Sequence, residues 1–258
     1  MKKEVQESWK RCEEIGLSPQ ISIPRIILRN EKIKLLLNEN KLLVSSFRDA
    51  VVCIKNIFKE EYAFFLVDQQ GILLATERSG QIGREKEMLQ IKPGISFVEE
   101  SYGTNAISMA IQLEKPVHMR PEEHYSEHLK GLYCFAIPLN VDDEIIGYLD
   151  VSTINQKITE EMITITELLP YKIIEEYKKQ IKNIEKAFKR ESSKLTTKQL
   201  QILQLMIKSY TEDEIGKELH VSINTVKYHK KSIFSKLNVR SSREAIIKAL
   251  HVKVVSLE

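Results

Sequence analysis

The stretch SINTVKYHKKSIFSKLNVRSSREA, from Ser222 to Ala245, combines clustered lysines with apolar residues at helical spacing. If Ser222 caps a helix that ends near Leu237, then Val226, Ile233 and Leu237 share its inner face and the lysines lie on the others. The preceding letters, TEDEIGKELHVS, predict a shorter helix and a tight turn. A helix, a turn and a basic helix are typical of a helix-turn-helix, whose second helix fits the ~12 Å wide major groove of DNA. A solvated lysine-rich helix face is the alternative, and charge alone does not exclude it.

Positive charge is distributed unevenly along the chain of 258 residues. Residues 192–258 carry 12 Lys/Arg and 6 Asp/Glu, a net charge of +6, whereas the remainder has a net charge of −3. A basic surplus confined to one end is the electrostatic signature of a nucleic-acid-binding module. Because 42% of the residues are hydrophobic, the chain can also build a packed core in one large or two modest domains.

Cysteine usage and hydropathy indicate the compartment. Cys12, Cys53 and Cys134 are an odd number at wide spacing without a CxxC pair, which argues against a disulfide framework and a zinc knuckle. No apolar run approaches the ~18 residues that a membrane span requires. The sequence therefore predicts a soluble cytoplasmic protein with no membrane partner.

The N-terminal part predicts an antiparallel sheet flanked by helices. Helical periodicity over Ile26–Phe58 gives way to two hairpins, at Tyr62–Glu77 and at Leu132–Ile154. Between them, Tyr102–Leu113 reads as a short helix and Pro116–Met119 as a strand. The expected fold class is an α+β sensor domain.

The C-terminal part predicts four short helices. Thr196, Thr211 and Ser241 each precede a Gln or Glu at the third following position, which is the pattern of a capping box. Ser222 caps the remaining helix. The expected domains are a sensor at 1–158, a connecting helix or coiled coil at 159–191, and the helix-turn-helix domain at 192–258.

The connecting segment carries a short heptad seam, with Pro170 expected to kink the helix or end it. Two heptads leave open whether the seam pairs between two chains or packs on its own domain. The candidate dimerisation residues in this seam are Ile174, Tyr177, Ile181, Ile184 and Phe188.

Residues 195–249 resemble the LuxR/NarL-type DNA-binding domain. The shared order runs from Val221-Ser222 through Thr225-Val226-Lys227 to Ser242-Arg243-Glu244-Ala245, with Gln199 where the family usually has glutamate. The resemblance implies that Lys227, Tyr228 and Lys231 approach base edges and that Asn224, Thr225 and Lys230 contact phosphates. It also implies a homodimer on double-stranded DNA, with Ile246 and Leu250 of the last helix in the interface, and an RNA polymerase contact.

Most of residues 1–152 resembles the GAF domain of activators of the acetoin-catabolism-regulator type. The resemblance rests on LVDQQGILL, on PGISFVEESYGTNAI and on the later CFAIPL and IIGYLDVS. It implies a pocket for a small-molecule effector, although some GAF domains hold none. The candidate ligand-binding residues are Phe64, Phe97, Tyr102, Asn105, Met109, His124, Tyr125, Phe135 and Tyr148.

Two further interpretations of the sensor stay open. In one, it docks a partner protein; in the other, it is a metal or thiol sensor built on Cys134 and on His118, His124 and His128. The histidines lack a cysteine pair or an HExxH motif, so we expect neither a metal site nor a cofactor. No phosphate loop or Ser-His-Asp order stands out, and we expect no enzyme activity.

Overall fold

A computed structural model describes residues 2–55, 57, 58, 60–80 and 91–250, without the side chain of Leu250. The chain divides into two compact units, Met1–Tyr177 and Lys178–Glu258. The division falls inside the predicted connecting segment. Among the described residues, hydrophobic cores form separately in the two units: two large cores and one small cluster in the first, and one core in the second.

An antiparallel sheet of five strands organises the N-terminal unit, and its order is β2-β1-β5-β4-β3. Both predicted hairpins are confirmed. Asp142 and Asp143 form the second turn with φ of 49° and 67°, the left-handed conformation that a two-residue hairpin turn requires. The strands are β1 (Ala63–Val67), β2 (Leu73–Arg78), β3 (Val117–Met119), β4 (Leu132–Val141) and β5 (Glu144–Ile154).

Helices cover both faces of the sheet. Because side chains alternate along a strand, β1, β2, β4 and β5 each contribute to two cores, whereas β3 contributes to the first alone. Phe65, Tyr148 and Met109 belong to the first core, whereas Phe64 and Phe135 belong to the second. The helices are α1 (Lys3–Glu14), α2 (Asn30–Glu39), α3 (Lys41–Ile54), α4 (Glu99–Tyr102), α5 (Ala106–Leu113) and α6 (Glu160–Ser192), with short 3-10 turns at Pro121–Glu123 and Glu127–Leu129.

The long helix α6 continues through Pro170, so of the two predicted effects, a kink or a helix end, the end does not occur. Leu169 and Ile173 on either side are buried in the second core of the N-terminal unit. This burial offsets the backbone hydrogen bond that proline removes.

The C-terminal unit consists of helices with a single core. Thr196 and Thr211 form the predicted capping boxes with Gln199 and Glu214, and Ser222 accepts from the amide of Thr225. Ser241 caps the last helix, but Glu244 reaches the amide of Arg240 instead of closing the box. The elements after α6 are α7 (Thr197–Ile207), α8 (Glu212–Glu218), α9 (Ile223–Lys236) and α10 (Ser242–Leu250).

Two glycines allow close approach of backbones. A Cβ on Gly147 of β5 would lie 2.4 Å from the carbonyl oxygen of Val67 on β1. A Cβ on Gly216 of α8 would lie 2.9 Å from the carbonyl oxygen of Val221 in the helix-turn-helix turn. The second contact gives Gly216 a packing role that its low helix propensity conceals. The predicted α+β fold of the N-terminal domain and the all-helical fold of the C-terminal domain are confirmed.

Candidate nucleic-acid interface and sensor cavity

Helix α9 has a buried face and an exposed face. Val226 and Ile233 lie in the core of the C-terminal unit, as does Leu237 just beyond the helix. The hydroxyl oxygen of Ser222, at the N-cap of the helix, accepts a hydrogen bond from the Thr225 amide at 3.1 Å. The core contacts and the cap together fix which side of α9 faces solvent.

The exposed face of α9 presents a stripe of polar and basic side chains. Asn224, Lys227, Tyr228 and Lys231 are exposed, and their spacing of three, four and seven residues places them along one side of the helix. Tyr228 is 70% exposed, an unusual position for a large aromatic side chain, and its ring meets that of His229 edge-on at 5.6 Å between centroids. This arrangement offers hydrogen-bond donors and a flat ring to a groove.

Lys230 lies apart from this stripe. Its ammonium is 2.6 Å from a carboxylate oxygen of Glu212 in α8, and its side chain is only 16% exposed. Lys227 is 4.0 Å from the other oxygen of the same carboxylate. The hydrogen bond with Lys230 lowers the pKa of Glu212. Thr225, another predicted phosphate contact, is half-buried with its hydroxyl 2.8 Å from that of Ser222.

Gln199, at the family's usual glutamate position, joins two helices. Its amide nitrogen donates to the hydroxyl of Ser232 at 3.0 Å, and its carbonyl oxygen accepts from Lys236 at 2.8 Å. The same oxygen accepts from the Thr196 amide at 3.1 Å. A neutral amide therefore serves the capping box and anchors α9 at the same time.

A small cavity of about 20 Å³ lies on the first-core side of the sheet. It is large enough for about one water molecule. Asp150 and Ser152 of β5 face it, flanked across the sheet by Phe65 of β1 and Cys134 of β4. The full lining is Phe65, Ile91, Phe97, Asn105, Ala106, Ile107, His124, Leu129, Leu132, Cys134, Asp150 and Ser152.

Four of these side chains form a buried polar chain. The Ser152 hydroxyl donates to Asp150 Oδ2 at 2.6 Å and lies 3.2 Å from Cys134 Sγ. Cys134 Sγ is 3.5 Å from His124 Nε2, and His124 Nδ1 is 3.3 Å from the carbonyl oxygen of Pro121. Asp150 Oδ1 has no hydrogen-bond partner. An unpaired acceptor at such depth is costly.

Burial sets the protonation of these groups. Desolvation raises the pKa of Asp150 to about 7, which the hydrogen bond from Ser152 only partly offsets. Desolvation also lowers the pKa of His124 to about 4, so the imidazole is neutral at physiological pH. The pKa of Cys134 is raised well above its ordinary value by burial and by the charge of Asp150. A protonated thiol is a poor nucleophile and a poor metal ligand.

The predicted ligand-binding residues do not all converge on this cavity. Phe97, Asn105 and His124 line it. Asn105 is already engaged, because it caps α5 through the Ser108 amide and donates to the carbonyl oxygens of Phe97 and Gly103.

The other six occupy different places. Phe64 and Phe135 lie on the opposite face of the sheet, and Phe135 stacks on His118 at 3.8 Å between ring centroids. Tyr125 packs on Cys12 and donates to the Leu17 carbonyl oxygen at 2.7 Å. Met109 and Tyr148 are first-core residues outside the cavity wall, and Tyr102 lines a different cavity.

That second cavity has a volume of about 220 Å³ and is mostly apolar. Ile91 lines both cavities, so its side chain is a shared wall. The remaining lining is Ser22, Ile23, Pro24, Ile27, Lys92, Ile95 and Tyr102.

The predicted dimerisation residues are partly buried within the single chain. Tyr177 packs against the second core of the sensor unit, whereas Ile184 and Phe188 pack against the core of the C-terminal unit. Ile174 and Ile181 are half-buried. Ile246 is half-buried on α10 and packs against the core there, and the side chain of Leu250 lies outside the described residues.

The described part of the chain contains neither a metal-ligand cluster nor a membrane-spanning helix. There, no group of three or more His, Cys, Asp or Glu side chains is arranged to hold a metal ion. His128 lies in a 3-10 turn, away from the cavity wall that His124 joins. No described helix combines the length and apolar composition that a bilayer crossing requires.

Asp150, Ser152 and Glu212 are absent from the candidate residues that sequence reasoning gives. The sequence could have identified Asp150, since it is a carboxylate within the mainly apolar strand IIGYLDVS. The sequence does not single out Glu212, because acidic residues are common in the first turn of a helix, where the helix dipole favours them.

Comparison with known proteins agrees with this two-part architecture. A family model described as the N-terminal domain of MimR matches residues 3–166. A second, described as bacterial regulatory proteins of the luxR family, matches residues 193–249.

Individual relatives differ in how much of the chain they match. AcoR, the acetoin dehydrogenase operon transcriptional activator of Bacillus subtilis, is 25% identical over 154 residues, which are 59% of this chain and 26% of AcoR. The oxygen regulatory protein NreC of Staphylococcus epidermidis is 30% identical over 140 residues, 53% of this chain and 62% of NreC. The match spans about a quarter of the length of the curated relatives of the N-terminal part.

Among solved structures, the Escherichia coli DhaR(N)–DhaL complex superposes with a TM-score of 0.60 at 17% identity. The superposition covers 66% of this chain and 58% of that chain, and it supports the fold of the N-terminal unit. A MimR-type N-terminal domain followed by a luxR-type helix-turn-helix defines a class of transcriptional regulators. Within that class, the chain belongs to the family defined by the MimR N-terminal domain.

Proposed function

We propose that this protein is a sequence-specific regulator that binds double-stranded DNA through α9 and responds to a small-molecule effector in its N-terminal domain. The exposed stripe of Lys227, Tyr228 and Lys231 on a luxR-type helix carries the DNA-binding part. Lysines neutralise phosphates or donate to guanine, and an exposed tyrosine ring packs on base edges or sugars.

The effector part is supported by the cavity beneath β5. Its wall is mainly apolar with a few convergent polar groups, as in small-molecule sites, and the apolar cavity of about 220 Å³ that shares Ile91 offers the space that its own 20 Å³ does not. An effector controls DNA binding only if it binds two conformations of the regulator with different affinities.

A homodimer is part of the proposal, since two copies of α9 would read two half-sites related by two-fold symmetry. Ile246 and Leu250 of α10 are the interface candidates that the luxR-type resemblance supplies. The AcoR and MimR relatives are named as activators, which favours contact with RNA polymerase as the output.

A partner protein that binds the N-terminal domain is the second candidate for the regulatory signal, because DhaR(N), whose fold is similar, is seen in a complex with DhaL. The unpartnered Asp150 oxygen favours the small molecule. The raised pKa of Cys134 weighs against thiol sensing.

DNA recognition is tested by fluorescence anisotropy of the full chain with a duplex obtained by in vitro selection. The variant Lys227→Ala/Lys231→Ala is expected to lose at least roughly tenfold in affinity for the selected duplex, because each lost base contact costs about 1–3 kcal/mol. The control Lys32→Ala/Lys34→Ala removes two exposed lysines of α2 and is expected to bind as the parent does. Equal binding by both double variants would refute the assignment of α9.

A further inference from the structure

We infer that the cavity beneath β5 binds one hydroxyl group of a small, otherwise apolar molecule, and that Asp150 recognises this hydroxyl. The inference deepens the proposed effector sensing and rests on it for its regulatory meaning. The hydroxyl would donate to Oδ1 of Asp150, which has no partner in the structure.

The other polar atoms around the cavity leave little else for a ligand to bind. Asp150 Oδ2 accepts from Ser152, and Asn105 is engaged as a helix cap. Both ring nitrogens of His124 are also engaged, Nε2 in a hydrogen bond with Cys134 Sγ and Nδ1 in one with the carbonyl oxygen of Pro121. One carboxylate oxygen is therefore the acceptor that remains open.

A hydroxyl matches this site better than an ammonium does. A hydroxyl has one proton to donate, whereas an ammonium has three and would leave two unpaired among apolar side chains. A ketone of the same shape has no proton to donate, so Asp150 Oδ1 would stay unpaired opposite another acceptor.

The space around Asp150 shows where the rest of the molecule would lie. About 20 Å³ accommodates the hydroxyl but not a carbon chain. Beyond the shared Ile91 wall lies the apolar cavity of about 220 Å³. The carbon body would occupy the Ile91 side, so that Ile91 must move when the molecule enters.

The test uses the full chain with ¹³C-labelled isoleucine methyl groups, observed by NMR at about pH 8.5, where Asp150 with its pKa of about 7 is ionised. Three four-carbon probes of matched shape are titrated: 2-butanol, 2-butanone and 2-aminobutane. We expect 2-butanol to shift the methyl signals of Ile91 and Ile107 and to bind at least roughly tenfold more tightly than 2-butanone, the value of one hydrogen bond to a charged carboxylate. We expect 2-aminobutane to bind more weakly than 2-butanol.

Two variants and a control complete the experiment. Asp150→Asn keeps the size of the side chain and is expected to abolish the preference for the alcohol, because an amide can rotate to donate or accept. Ile91→Ala joins the two cavities and is expected to tighten binding of 2-butanol while the preference persists. Asp143→Asn, in the exposed turn, is expected to behave as the parent.

The proposal is overturned if no probe shifts these methyl signals, if alcohol and ketone bind equally, if the amine binds best, or if the preference survives in Asp150→Asn. DNA affinity measured on the same samples separates this inference from the proposed function. If the alcohol preference holds but saturating 2-butanol leaves the affinity for the selected duplex unchanged, the site stands and effector control by that site fails.

Discussion

Replacing Asp150 by asparagine should change how the stability of the sensor unit depends on pH. The pKa of Asp150 is about 7 in the folded chain and near 3.8 when exposed, so between these values the folded state holds a proton that the unfolded state has lost. Stability therefore falls as pH rises through this window. At about 1.4 kcal/mol per pKa unit, the loss amounts to about 4 kcal/mol.

His124 has the opposite effect. Its pKa is lowered from 6.5 to about 4, so between those values the unfolded state binds a proton that the folded state does not, and stability rises with pH by about 3 kcal/mol. In the parent the two contributions nearly cancel below about pH 6.5. The Asp150→Asn variant keeps the contribution of His124 and loses that of Asp150, while the amide oxygen can still accept from Ser152.

The assay is urea unfolding followed by tryptophan fluorescence, since the single tryptophan, Trp9, lies in α1 of the sensor unit. The free energy of unfolding of Asp150→Asn relative to the parent should increase by about 4 kcal/mol from about pH 4 to about pH 8. Asp143→Asn, exposed in a hairpin turn, is the matched control and should follow the parent. If the profiles of Asp150→Asn and the parent run parallel, Asp150 is not the buried, partner-poor carboxyl that the cavity account requires.

Other consequences follow from the ion pairs and thiols. Glu212→Gln removes the ion pair that holds Lys230 and should strengthen binding to DNA of arbitrary sequence. The slope of log affinity against log salt concentration, measured by anisotropy over a salt series, should become steeper by about 0.9. An unchanged slope would mean that Lys230 does not reach phosphates. Iodoacetamide should modify Cys53, which is exposed, well before Cys12 and Cys134, which are buried with raised pKa, as read by intact and peptide mass spectrometry. Early modification of Cys134 would revive the thiol-sensor interpretation.

Local rules predicted the helix-turn-helix in detail. The capping hydroxyls and the spacing of Val226, Ile233 and Leu237 determine where α9 begins and which face it buries. Its exposed stripe follows from the same periodicity. The burial of Lys230 does not, because it depends on a carboxylate in another helix that approaches only after folding.

The sensor cavity was harder to predict for a related reason. The hairpins are local and were predicted from their turns, but a cavity depends on which face of each strand meets which helix. Successive side chains of a strand point to opposite faces of the sheet, so an error of one residue moves a side chain to the wrong face. The sequence predicts Phe64 and Phe135 in the pocket, but their neighbours Phe65 and Cys134 line it. Asp150 indicates a buried polar site only once both faces of its strand are known to be covered.

The most direct test of the regulator account is in vitro selection of random duplex DNA by the full-length protein, followed by sequencing. The account predicts enrichment of one motif with two-fold symmetry, its half-sites about one helical turn apart, and loss of the enrichment in Lys227→Ala/Lys231→Ala. A sequence pool that stays random while the parent protein still retains DNA would contradict it, since binding would then rest on charge alone.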